Sequence, residues 1–242
     1  MIPEEFYDKM WCEVWNDMER YNPTAQHLKL IIAKEIKRYL PFRSFLDAGC
    51  GAGFNIEPIA EQFPKIQIVG TDLTEKICQI AAKNLEKYTQ VTICKLNLEK
   101  DSLNQTFDFI LCNQVLEHID NDLLALKNLG QMANKYILIT VPSGRQNSTS
   151  LLNGHIRHYS ELDLQNKIQS AGLSIRKMYS WGFPFHNLYK NILDALPVSY
   201  QTKIGMGSYG FWKKFLSKSI FWLFYLNIFK KGDNIICLCE KK

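Results

Sequence analysis

The chain has no C-x-x-C pair, no internal repeat and no low-complexity run. Its seven cysteines are an odd number, scattered along 242 residues, which argues against both a disulfide framework and a zinc site. Met1 to Arg20 is acidic and aromatic rather than basic and then apolar, so no signal peptide is expected. A reducing, cytoplasmic setting fits both absences. A net charge is also missing from most of the chain. The net charge of +5 arises in residues 203–242, which hold eight lysines against two acids, and the rest is nearly balanced. A basic, nucleic-acid-binding body is therefore not expected.

Apolar content is 46 %, enough for a large core, and the length suits one α/β domain with decorations. Glu4 to Tyr21 carries apolar and aromatic residues at helical spacing, and Asn22-Pro23-Thr24 starts a second helix that reaches about Tyr39. Strands and helices then alternate. Strands are expected at Ser44–Asp47, Gln67–Asp72, Val91–Lys95, Phe107–Cys112, Tyr136–Val141, Leu173–Trp181 and Asn234–Cys239. Helices are expected at Phe54–Phe63, Glu75–Tyr88 and Asp120–Ala133, with another after Ser160, whose partner Asp163 completes a capping pair. The alternation implies a mostly parallel sheet covered on both faces. The expected organisation is a helical cover over 1–40, a core over 41–181 and 233–242, and an insertion over 182–232.

The most informative run is Leu46-Asp47-Ala48-Gly49-Cys50-Gly51-Ala52-Gly53-Phe54-Asn55. Three alternating glycines let a backbone approach a ligand closely. Asp47 ends one strand and Asp72 the next, an arrangement suited to a nucleoside cofactor at the edge of a parallel sheet. The spacing is not the G-x-G-x-x-G of a dinucleotide site, and a carboxylate beside the turn would repel a pyrophosphate while attracting a cation. The run resembles motif I of the S-adenosylmethionine-dependent methyltransferases with a Rossmann-like fold. That resemblance implies S-adenosylmethionine as cofactor, with Asp47, Gly49, Gly51, Gly53 and Asn55 around its methionine end and Asp72 with Leu73 at the ribose. It also implies an antiparallel final strand.

Phe107 to Ile119 resembles the F-D-x-I…V-L-E-H-I segment of small-molecule members of that superfamily, which implies that Asn113, Gln114 and His118 lie at the cofactor. Asn97 stands where the family usually has an aspartate that accepts from the adenine amino group, and Leu98 would pack on the adenine face. Enzymes methylating nucleobase amino groups carry two prolines and an aromatic residue after the fourth strand. Asn113-Gln114-Val115-Leu116 has neither, so no nucleic-acid partner is expected.

After the fifth strand comes Gly154-His155-Ile156-Arg157-His158-Tyr159-Ser160. An oxygen acceptor needs a base near neutral pH, and histidine supplies one. His155 or His158 is the expected base. Arg157 is expected to recognise an anionic group, with Tyr159, Phe185, His186, Tyr7 and Trp11 as further substrate contacts. No metal site is expected, because the ligands are too few.

In 182–232, the segment 205–210 reads as a hinge or lid, and 211–229 is strongly apolar, flanked by lysines and too short to span a bilayer. Three settings for 211–231 remain: a helix under a cap, a contact in a homodimer, or an interfacial helix that holds the chain at the edge of a membrane. The expected function is methyl transfer to a small or lipid-like acceptor, most simply at oxygen. N- or C-directed transfer, a catalytically silent cofactor-binding subunit and a nicotinamide enzyme are the alternatives.

Overall fold

The structure is a computed structural model that describes residues 3–241. Its seven strands are β1 (Ser44–Ala48), β2 (Gln67–Asp72), β3 (Val91–Lys95), β4 (Phe107–Asn113), β5 (Ala133–Pro142), β6 (Leu173–Trp181) and β7 (Asn234–Lys241). They form one sheet in the order β3-β2-β1-β4-β5-β7-β6. β1 to β5 run parallel, and β7 is antiparallel to β5 and β6. This is the Rossmann-like architecture that the resemblance implied, with the mostly parallel sheet that the alternation of elements implied.

The helices are α1 (Glu4–Met10), α2 (Asn16–Tyr21), α3 (Pro23–Arg38), α4 (Ile56–Gln62), α5 (Glu75–Asn84), α6 (Asp122–Met132), α7 (Ser148–Leu152), α8 (Glu161–Ser170), α9 (Phe185–Ala195), α10 (Val198–Gly205) and α11 (Phe211–Leu223). β4 shows why both sheet faces must be covered. Phe109 and Leu111 enter the core beneath α3, with Leu28, Ile31, Ile32 and Ile36, while Ile110 and Cys112 enter the opposite core with Leu126 and Leu129 of α6. A strand buried on both sides reads as a continuous apolar run rather than an alternating one.

Caps place several boundaries where the sequence put them. Asn22 Oδ1 accepts from the Thr24 amide at 2.9 Å, with Pro23 in the first helical position. Ser160 Oγ accepts from the Asp163 amide at 3.1 Å. The amino-terminal stretch differs from the single helix expected over 4–21. A π-helical turn, Trp11–Trp15, separates α1 from α2. The wider turn changes the helical phase, and such turns recur at functional sites. Segment 205–210 is also more firmly held than a glycine-rich hinge. Met206 and Tyr209 are buried, and the Tyr209 amide donates to Asp17 at 2.9 Å.

Candidate active site

The strand order reverses between β1 and β4, and in open α/β sheets the crevice beyond the carboxyl ends of such strands is where ligands bind. The glycine turn fills one side of it. The amides of Gly49 and Cys50 both donate to Thr71 O at 2.8 Å, which folds the turn onto the end of β2. Gly51 has a φ of +53° and lies so close to Trp11 that a Cβ there would stand 2.0 Å from the indole ring. Glycine is required at this position on both counts.

Asp72 fastens the turn from the next strand. Its carboxylate accepts from the Gly51 amide at 2.8 Å and the Leu73 amide at 2.7 Å. Burial pushes its pKa up to about 6, against the pull of those two amides. Asp47 lies deeper, fully buried, and neither carboxylate oxygen has a hydrogen-bond partner among the described residues. Burial, followed by the charges of Asp72 and Glu19, pushes its pKa up to about 8. Buried acids without partners suit a cationic ligand, since a nearby positive charge offsets the desolvation that raises them.

The raised pKa of Asp47 has a consequence for stability. The folded protein holds this proton more tightly than the unfolded chain does, so the contribution is complete below about pH 4 and is lost as pH rises through about 8. The stability of the ligand-free protein is expected to fall across this window, by up to about 1.4 kcal/mol per pH unit from this group, with the melting temperature falling in step, and Asp47→Asn is expected to flatten the profile. Thermal melts at stepped pH check it, and a wild-type profile as flat as that of the variant would contradict it.

A cavity of about 370 Å³ opens in front of the turn. Gly49, Gly51, Asn55, Asp72 and Leu73 line one side, with Asn97 and Leu98 beyond β3. The oxygen of Asn97 already accepts from the Glu99 amide at 3.0 Å, so one of its lone pairs is committed to the turn. Asn113, Gln114 and His118 form the floor at the end of β4. Gln114 has a φ of +54°, an uncommon conformation for a residue with a side chain, and its amide donates to Thr140 O at 3.0 Å. Tyr7 and Trp11 line the cavity from the amino-terminal helical stretch.

The far wall carries His155, His158 and His186. His155 Nδ1 and His158 Nε2 are 3.2 Å apart, and the His118 ring meets His155 edge to face at 5.0 Å. Burial lowers all three: His118 and His158 to about 4, and His155 to about 2 with help from its two histidine neighbours. They are neutral at physiological pH. Glu117, His118 and His155 bring one donor atom each within 4.8 Å of one another, a grouping that the sequence did not suggest because Glu117 and His155 are far apart in the chain.

Five of the expected site residues stand elsewhere. Asp47 lies beneath the turn rather than on the cavity wall, and Gly53 faces Leu85. Arg157 is spent on structure: its guanidinium donates to Ile119 O at 2.5 Å and Asp120 O at 2.8 Å and pairs with Asp122 at 3.0 Å. Tyr159 is buried and donates to Asp122 at 2.7 Å. Phe185 packs against the core under α3 rather than facing the cavity. Arg157 and Tyr159 thus brace the loop that presents the two histidines.

The sequence reading missed Asp233 and Lys190. Asp233 accepts from His186 Nδ1 at 2.8 Å and from Lys190 Nζ at 2.7 Å, and all three line the cavity. Burial alone would raise Asp233, but the His186 bond and the Lys190 ammonium outweigh it and hold the carboxyl below the usual carboxylate range. Asp233 immediately precedes β7, and only the pairing of that strand beside β5 brings it to the site.

Residues 46–135 match the methyltransferase domain family. Over those residues the chain is similar to methyltransferase domains, and its sheet has the Rossmann-like fold. Over 144 residues it is 28 % identical to malonyl-(acyl-carrier protein) O-methyltransferase of Bacillus cereus, covering 58 % of this chain and 52 % of that one. The chain thus spans about half the length of this curated relative. Magnesium protoporphyrin IX methyltransferase of Synechocystis PCC 6803, solved with bound SAH, superposes with a TM-score of 0.56 at 17 % identity, over 90 % of this chain and 82 % of its own. The (4+2)-cyclase SpnF superposes with a TM-score of 0.61 at 15 % identity, over 90 % and 80 %. At such identities these structures share the fold of this chain, and fold alone does not name a reaction.

Proposed function

We infer that the chain transfers the methyl group of S-adenosylmethionine to an oxygen of a small or amphipathic acceptor. The observation that carries this is the meeting, in one cavity, of a glycine turn clamped by Asp72 and a wall of histidine side chains. The O-methyltransferase relative of Bacillus cereus and the SAH bound to the Synechocystis neighbour support it.

The residues present fit the cofactor. Asp72 would accept from the ribose hydroxyls, Leu98 would lie on the adenine, and the Gly49–Gly51 backbone with the Asp47 charge beneath it would take the cationic end. When bound, S-adenosylmethionine supplies an already activated methyl, so the protein's tasks are alignment and proton removal. With its Nδ1–H donating to His158 Nε2, His155 offers Nε2 to the acceptor's proton, and it does so against a pKa that burial has lowered to about 2, so the proton would have to be taken as the methyl transfers.

A second base is favoured by one geometric fact. The carboxylate of Asp233 holds His186 Nδ1, fixes its tautomer and would stabilise an imidazolium formed at Nε2. Single alanine variants decide between them. Loss of the base is expected to lower turnover by about 10²–10⁴-fold while S-adenosylmethionine affinity stays near wild type. If His155→Ala, His158→Ala and His186→Ala all turn over normally, the histidine-base reading fails. Calorimetry tests the cofactor itself: no heat with S-adenosylmethionine or S-adenosylhomocysteine overturns the proposal. Heat without turnover across acceptor pools favours a silent cofactor-binding subunit.

A further inference from the structure

The carboxyl-terminal insertion leaves a large apolar face uncovered. α11 packs against α2 and α3 through one side only, with Ser217 buried and Phe221 reaching His27. Its other side presents Phe211, Trp212, Phe215, Leu216, Trp222 and Leu223 to solvent, with Phe211 76 % and Trp212 78 % exposed. At 100° per residue these six fall within about 140° of the helix circumference, and Lys213, Lys214 and Lys218 fall outside that arc. The face continues past the helix through Tyr225, Leu226, Ile228 and Phe229. Exposed apolar surface this extensive marks a binding surface.

Charge indicates what binds. Residues 196–232 contain six lysines and no aspartate or glutamate. Two copies meeting face to face would bring the same lysines together, because a twofold interface pairs each patch with itself. An anionic bilayer complements both features: aromatic rings settle at the headgroup boundary and lysines meet the lipid charge. None of the helices among the described residues is long and apolar enough to cross a membrane. We propose that the α11 face docks the chain, parallel to the surface, on membranes containing anionic lipid.

The docking surface adjoins the cavity. Lys213 Nζ donates to the carbonyl of Met206 at 2.6 Å, and Met206 lines the cavity. The exposed Phe211 follows the cavity-lining Met206 by five residues, so a membrane held by the α11 face would lie near that end of the cavity, where an acceptor with an apolar tail could enter without leaving the lipid. That last step rests on the methyl-transfer reading, whereas the docking does not.

Flotation of the full chain with vesicles of phosphatidylcholine, with and without phosphatidylglycerol, tests it. Binding is expected only with the anionic lipid and is expected to weaken steeply with salt. The triple variant Lys218→Gln, Lys230→Gln, Lys231→Gln is expected to lose about a hundred-fold in affinity. The double variant Trp212→Ser, Phe215→Ser is expected to abolish flotation. Both variants should bind S-adenosylhomocysteine as wild type does if the cofactor reading holds, and an unchanged melting curve reports folding independently of it. Three results would overturn the proposal: no flotation of the wild type, equal flotation with neutral vesicles, or a dimer that the double variant dissociates and that does not bind vesicles.

Discussion

Asp72→Ala is expected to weaken S-adenosylmethionine binding about a hundred-fold or more. The carboxylate has two tasks, and both are lost. It accepts from the amides of Gly51 and Leu73, at 2.8 and 2.7 Å, and so holds the glycine turn against the end of β2. In the proposed complex it also takes the ribose hydroxyls. Hydrogen bonds to a charged acceptor are worth about 1.5–3 kcal/mol each, and an amide left unpaired in a buried turn adds to the loss. A hundred-fold corresponds to about 2.7 kcal/mol, which two such bonds supply. Asp72→Asn keeps one oxygen acceptor and is expected to fall between the two. Calorimetric titration measures this, and an affinity within threefold of wild type for the alanine variant would remove Asp72 from the cofactor site.

Gly232→Ala is expected to have the largest effect on stability. Gly232 has a φ of +138°, and a Cβ there would lie 2.2 Å from the carbonyl carbon and oxygen of Trp181 and 2.3 Å from the Gly182 amide. These are backbone atoms at the end of the edge strand β6, so they cannot swing aside as a side chain could. The expected cost is about 3 kcal/mol or more, combining the disfavoured φ with overpacking. For a chain of this size that lowers the melting temperature by roughly 6–12 °C. The effect should extend to the site, because the neighbouring Asp233 holds His186 and Lys190. Gly172→Ala is the control. Its φ is +80°, yet nothing lies within 4 Å of the added methyl, so only the conformational penalty applies. Equal melting temperatures for the two variants would show that the contact with Trp181 does not matter.

Much of the cofactor half was legible in the sequence because its elements are local. The glycine turn, the acid ending β2 and the polar end of β4 each lie within a run of a few residues, and their positions follow from strand and helix periodicity alone. β2, β3 and β6 occupy the residues expected of them. The helix starts at Pro23 and Glu161 were readable for the same reason, since a cap acts within three residues. Arg157 and Tyr159 show where local reading stops. A cationic and a phenolic side chain on either side of His158 read as substrate contacts, but both are bound to Asp122 of α6.

The amino-acid order by itself determined the parallel sheet, the cofactor turn and the basic, apolar character of the carboxyl-terminal insertion. These depend on periodicity, backbone permissiveness and composition over short stretches. Only the tertiary structure decided which acid holds which histidine, that Trp11 lies on Gly51, and that α11 turns its aromatic side to solvent. Those facts depend on contacts between residues far apart in the chain. Asp233 reaches His186 because the register of β7 between β5 and β6 sets it there, and α11 exposes its rings because α2 and α3 cover only its other side.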